Sequence, residues 1–221
     1  MCIQIDLVDI DLLRPHEETD QEYVKILTEK ISRDKILRRP LLIDSEEMII
    51  LDGHHRYEAL KRLGIRKVPV IKIRYKDDEH IKIDKWIRIY MIKNTLDLSY
   101  IKDLLRKSFE KNIFSTEVFN DNIILIKNVS TEDPVSFYMS IHLIENKLKD
   151  HMIRFVFRKS MPRLNRLYKE NNKILIIDPP KLNKDHVINI AVKGIRLPQR
   201  STRHITFLKK IILPTSLRLL I

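Results

Sequence analysis

One cysteine, Cys2, in 221 residues leaves no partner for a disulfide and too few thiolates for a metal cluster. Only three glycines are present, so each marks a place where the backbone needs a turn or a close approach that other residues resist. There is one tryptophan, Trp86, among few aromatics. No uncharged apolar run is long enough to cross a bilayer, and the N-terminus has no basic segment leading into an apolar one. A cytoplasmic chain without a membrane anchor is expected. Acidic residues are outnumbered, 30 against 42 Lys and Arg, which gives a net charge of +12. That balance suits nucleic acid, anionic metabolites or nucleotides and does not choose among them. Much of it is also what a heat-adapted surface of mixed ion networks would show.

The apolar content, 43%, is enough for one large domain or two small ones. "CIQIDLVDIDLL" alternates like an edge strand and stops at Arg14-Pro15. "ETDQEYVKILTEKISRD" predicts a helix capped by Asp20 with a stripe of Tyr23, Val24, Leu27 and Ile31. "RPLLID", "MIILD", "KVPVIKIRY" and "IKIDKWIRIY" read as strands. Further on, "SYIKDLLRKSFEKN", "MPRLNRLYKENN" and "LNKDHVINIAVKG" read as helices, and "NIILIKN" and "KILIID" as strands, the last ending at Pro179-Pro180. "SFYMSIHLIENKLKDH" fits either a strand or a helix by periodicity. These patterns predict a mixed α/β (α+β) protein, with a first domain over residues 1–92 and a second, smaller α/β domain over 93–221.

The densest chemistry lies in "ILDGHHRYEALKRLG", residues 50–64. Ile49, Ile50 and Leu51 precede Gly53 as a buried strand would, and Tyr57, Leu60 and Leu63 follow at helical spacing up to Gly64. A strand that ends in a helix N-terminus offers free backbone N–H groups and the positive end of the helix dipole, and therefore favours an anion. His54, His55 and Arg56 add donors at that point, and phosphate is the expected guest. Asp52 is placed to hold a magnesium ion bridging phosphate oxygens. The plain alternative is a capped helix whose imidazoles satisfy buried backbone groups.

Asp52-Gly53-His54-His55-Arg56, with the following "YEALKRLG" and "VPV", resembles the nucleotide-binding segment of the ParB/sulfiredoxin superfamily, and most of all its archaeal free L-serine kinases, which use ADP as phosphate donor. The resemblance covers about the first 90 residues and a short C-terminal motif. It implies a ParB/sulfiredoxin-like N-terminal domain, a second smaller α/β domain and an active site in the cleft between them, to which a segment of about residues 196–210 returns. It further implies that Glu17, in "RPHEE", is the general base, with Glu18 as the alternative. Trp86 in "DKWIRIY" would line the serine pocket. Thr202, Arg203 and His204 in "QRSTRHI" would meet the phosphoserine end. Ile36 and Leu37 are the candidates for an adenine slot.

The implied reaction is transfer of a phosphate from ADP, or from ATP, to the serine hydroxyl with Mg2+ as cofactor, supplying cysteine biosynthesis. Asp52 and Glu17 would be the catalytic carboxylates, and a monomer without nucleic acid the working form. The rival reading is a ParB-like DNA-binding protein; its helical DNA-reading domain is not expected from the strands and prolines of the second half. A sulfiredoxin is not expected either, since His54 stands where that chemistry needs cysteine. His80, His142, His151 and His186 have no ligand spacing and are read as structural or surface residues.

Overall fold

The computed structural model describes residues 4–109, 113–119, 122–130, 133–162 and 173–220. The helix expected in "MPRLNRLYKENN" falls almost wholly outside the described residues. The backbone clusters into two units. The first comprises residues 1–83, 183–199 and 204–221, and the second 84–182 and 200–203. The sequence put the division near residue 92, but the strand Ile87–Ile92 is buried along its whole length in the second unit's sheet, so the division comes before it.

The first unit opens with β1 (Gln4–Asp9) and α1 (Gln21–Asp34). The Asp20 carboxylate accepts the Tyr23 N–H at 3.1 Å, the cap that the sequence predicted. Val24 and Ile31 are the buried positions of the helix and Leu27 is partly buried, whereas Tyr23 is exposed. There follow β2 (Ile36–Leu37), β3 (Leu41–Asp44), β4 (Ile50–Asp52), α2 (His54–Arg62), β5 (Lys67–Ile73) and β6 (Lys82–Asp84). Four of these strands form a mixed sheet in the order β1-β5-β3-β4. β3 and β5 run parallel, and β1 and β4 are antiparallel to their neighbours. β1 is therefore an edge strand, as its alternation suggested.

In the second unit, β7 (Ile87–Ile92) is followed by α3 (Leu98–Ser108), β8 (Ile113–Phe119), β9 (Ile123–Ser130), α4 (Pro134–Leu148), β10 (Met152–Arg158) and β11 (Lys173–Asp178). The five strands are ordered β10-β7-β11-β9-β8, with only β11 and β9 parallel. The segment that periodicity left open is the helix α4. Its N-terminus is fixed by Asp133, whose carboxylate accepts the Val135 and Ser136 N–H groups, and by Pro134 in the first turn.

Returning to the first unit, the chain forms α5 (Lys184–Val192), β12 (Arg203–Ile205) and β13 (Thr215–Ser216). β12 pairs with β6 and β13 with β2. Leu217 and Leu220 complete a core of Val24, Leu41, Ile50, Leu60 and Val70. α5 packs Val187 and Ala191 into a second cluster with Leu42, Leu51, Ile71, Tyr75 and Leu208. No helix among the described residues is long and apolar enough to cross a membrane.

One charge is wholly buried within the second unit. Arg88 on β7 is paired with Glu145 on α4, and the same carboxylate oxygen accepts the Tyr90 hydroxyl at 2.7 Å. Removing one partner leaves an uncompensated buried charge, which costs about 3 to 5 kcal/mol. Glu145→Leu is therefore expected to lower unfolding stability by that amount in urea titrations, and adding Arg88→Met to it should recover most of the loss. A single Glu145→Leu variant as stable as the parent would contradict this.

Candidate functional site

The β4–α2 joint is built around Gly53. Its φ of 107° lies in the left-handed region, and a Cβ there would stand 2.6 Å from Leu41 Cδ2 and 2.9 Å from the Arg56 guanidinium. Only glycine lets β4 pass this close to β3 and turn directly into a helix. α2 has no side-chain cap and no acidic residue in its first turn. The first N–H groups of a helix lack intrahelical acceptors and carry its positive dipole end, so this end is electropositive. Gly53→Ala is expected to destabilise the first unit by about 1 to 3 kcal/mol through backbone strain and the Leu41 contact. A thermal midpoint unchanged in calorimetry would show that the turn tolerates a side chain.

Asp52 is the last residue of β4, and both its carboxylate oxygens face cations. Arg56 Nη2 is 2.6 Å from Oδ2, and Lys209 Nζ is 3.2 Å from Oδ1. Arg56 is also tied to backbone. Its Nη1 donates to the carbonyl of Arg39 at 2.9 Å and to that of Pro40, which locks the approach to β3 onto the joint. His54 is buried and His55 half-buried, and both rings meet backbone groups. His54 Nε2 accepts the His16 N–H at 3.4 Å, and His55 Nε2 accepts the Asp20 N–H at 3.2 Å. A ring nitrogen that accepts an N–H carries no proton itself, so at these nitrogens the rings serve backbone groups, as in the plain alternative considered from sequence.

His16 was passed over in the sequence, and it is the center of a buried polar layer. Its ring meets that of His54 edge-on at 4.7 Å and that of His204 at 6.0 Å between centroids. His204 Nε2 is 2.7 Å from the Tyr75 hydroxyl. These rings are deep in the first unit, and His204, read from sequence as meeting the phosphoserine end, makes its contact with Tyr75 there. The segment bearing the candidate base is stitched in by main chain. Ile50 N–H donates to Arg14 O at 3.1 Å, Leu197 N–H to His16 O at 3.0 Å, and Glu18 N–H to Leu197 O at 2.8 Å. Glu17 is buried, with Oε1 3.8 Å from His16 Nε2, and Glu18 is only half-buried.

In the second unit, Trp86, Thr202 and Arg203 lie together. The Trp86 indole N–H donates to Thr202 O at 3.2 Å. The guanidinium of Arg203 lies 5.6 Å from the indole centroid and pairs with Asp84, and that of Arg200 lies 5.7 Å from the same ring and 4.7 Å from Phe157. Arg200, a further cation that sequence reasoning missed, has a left-handed φ of 55°. Ile36 and Leu37 sit apart on the β2–β13 ribbon. Leu37 belongs to the core, so only Ile36 is at the surface.

Among the described residues no group of three or more His, Cys, Asp or Glu could hold a metal ion. Magnesium is commonly held by one or two carboxylates together with substrate phosphates and water, and the single carboxylate of Asp52 fits that mode.

Burial sets the ionisation of the histidine layer. It holds His16 down at about 3, and it holds His54 and His204 well below the usual imidazole range, helped by their neighbouring imidazoles. Burial likewise pushes the Tyr75 hydroxyl up, with the charges of Asp44 and Glu17 adding to it. Because the unfolded rings accept protons that the folded ones refuse, stability is complete above pH about 6.5 and falls as the pH drops below it. Each such histidine removes about 1.4 kcal/mol per pH unit until its folded pKa is passed. Urea unfolding between pH 8 and pH 4 should show this acid limb, and His16→Gln should flatten it. An equal slope in the variant would remove His16 as a cause.

Residues 2–95 match the ParB N-terminal domain. A ParB-like protein of Sulfolobus acidocaldarius is 29% identical over 204 residues, covering 91% of this chain and 90% of that protein. An ATP-dependent L-serine kinase of Staphylothermus marinus is 39% identical over 84 residues, 36% of this chain and 33% of that protein, so the match spans about a third of that kinase. A solved free serine kinase variant in complex with ADP aligns with a TM-score of 0.69 at 17% identity, covering 98% of this chain and 94% of that one, which shows a shared fold.

Proposed function

We propose that this chain, whose residues 2–95 match the ParB N-terminal domain, is a phosphotransferase that moves a phosphoryl group from an adenine nucleotide to the hydroxyl of free L-serine. The observation that carries this reading is the joint: a glycine-turned strand end brings one carboxylate and its paired arginine to an uncapped helix N-terminus. That is the arrangement a phosphate chain needs. Similarity to serine kinases in sequence and in fold supports the choice of acceptor.

Phosphoryl transfer asks the protein for alignment and charge stabilisation more than for covalent chemistry. Glu17 takes the proton of the serine hydroxyl as its oxygen bonds to phosphorus and the bond to the nucleotide's bridging oxygen breaks. AMP leaves if ADP is the donor, and ADP leaves if it is ATP. A general base of this kind contributes about 10²- to 10⁴-fold. Glu17 is preferred to Glu18 because it is buried beside His16 and so held in one place.

The first-turn N–H groups of α2, with Gly53, His54, His55 and Arg56 shaping the turn, receive the donor phosphates. Asp52 would hold Mg2+, which would supply charge neutralisation at the phosphates. Trp86, Thr202 and Arg203 bind serine and its phosphorylated product; Arg203 offers the planar fork that suits carboxylate or phosphate. His204 steadies this segment from inside. Ile36 contacts adenine. ADP is the donor that the family resemblance favours, ATP the one named for the Staphylothermus relative, and the product feeds cysteine formation.

Incubation with L-serine, Mg2+ and either ADP or ATP should yield O-phospho-L-serine, identified by 31P NMR. Glu17→Gln should lower kcat by about 10²-fold or more while nucleotide affinity stays within about twofold. Full rate in that variant removes Glu17 as the base, and no serine-dependent product with either donor removes the kinase reading. Salt-sensitive binding to duplex DNA without turnover would favour a ParB-like role instead.

A further inference from the structure

Lys209 has no part in the reading above, yet its position is a constructed one. It lies on the short 3-10 turn Phe207–Lys210, whose start is capped by Thr206, the hydroxyl accepting the Leu208 N–H at 3.3 Å. Leu208 is buried in the core beside Leu42, Leu51 and Ile71. Anchoring Leu208 fixes the direction of its neighbour, so Lys209 is half-buried with Nζ 3.2 Å from Asp52 Oδ1, whereas the adjoining Lys210 is exposed.

Charge balance does not require this lysine. Arg56 already pairs with the other oxygen of Asp52, and one cation neutralises one carboxylate. A second leaves a net positive charge beside a helix end that is itself electropositive and has no acid in its first turn. Burying part of an ammonium group and ordering its long stem also cost free energy. The excess is favourable only when an anion arrives.

The two cations differ in freedom. Arg56 is held by backbone carbonyls as well as by Asp52 and is fixed. Lys209 is a point charge on a flexible stem, able to exchange one oxygen partner for another within a few ångströms.

We propose that Lys209 is a donor-phosphate-binding residue, resting on Asp52 in the free protein and turning to the phosphate chain of the nucleotide when the joint is occupied. This rests on the nucleotide-binding reading given above.

The test measures binding by titration calorimetry with ADP and with adenosine, which lacks phosphate. Lys209→Met should weaken ADP binding about tenfold or more and leave adenosine within about twofold, since only the charge-assisted contact to phosphate is lost. Lys209→Arg should keep ADP within about threefold, and Lys210→Met should resemble the parent with both ligands. If Lys209→Met does not fold, Lys209→Gln carries the same comparison. Unchanged ADP affinity, or an equal loss for adenosine, overturns the proposal. If the parent forms phosphoserine while Lys209→Met binds ADP normally, this inference alone fails; if the parent binds neither ADP nor ATP, the kinase reading fails with it.

Discussion

The local structure of the site depends on one backbone torsion. At Gly53 the chain takes a φ of 107° within contact distance of Leu41, and β4 passes into α2 without an intervening loop. A longer connection would let the helix begin elsewhere and leave Asp52 on a loop. With this turn, residues 52 and 56 come to the same side of the joint, and the arginine closes back on the carboxylate and on the carbonyls of Arg39 and Pro40. Strand end, helix start and the entry to β3 thus form one rigid piece. The orphan N–H groups of α2 are presented from a fixed frame, which is what anion recognition by backbone requires.

Behind that piece lies the layer of His16, His54, His204 and Tyr75. Four sequence-distant segments meet there, and each brings a group that would be costly to bury alone. The rings answer one another and the backbone: His54 takes the His16 N–H, and Tyr75 meets His204. A network of this sort specifies one arrangement more strictly than an apolar core, because a slip of one residue would leave several polar groups without partners. The main-chain links of residues 14–18 to Ile50 and Leu197 act in the same direction. Glu17 therefore stands on a segment fastened from both sides.

Local patterns in the sequence reached far into this structure. The cap at Asp20, the strand-to-helix change at Gly53 and the mixed α/β architecture all follow from residues that are neighbours in the chain, where spacing reports directly on geometry. α4 was ambiguous because, besides its buried face of Phe137, Tyr138, Ile141, Ile144 and Leu148, it carries the apolar Met139 and Leu143 on its exposed side, and such a helix has little periodicity. β8 and β10 went unread; much of β10 is only partly buried, which weakens its alternation. What no local pattern conveys is which distant side chains meet. Lys209 lies in a basic apolar tail where two adjacent lysines look alike, and only the burial of Leu208 separates them. His16 was legible as part of "RPHEE" but not as the ring that joins two others.

The division of labour at the joint also differs from the first impression of its residues. Read in a row, His54, His55 and Arg56 look like three donors competing for one anion. In the fold, Nε2 of each imidazole is spent as an acceptor of a backbone N–H, and burial keeps His54 uncharged, so the rings add little positive potential. Arg56 spends part of its fork on carbonyls and on Asp52. Attraction for an anion then falls on the helix N–H groups and on whichever cation can still move. The imidazoles shape the cradle through their backbone contacts, and the field is left to the dipole of α2 and to a lysine from the far end of the chain. A site arranged in this way holds its geometry fixed and keeps only one charge mobile, which lets it accept and release a phosphate without rebuilding the fold around it.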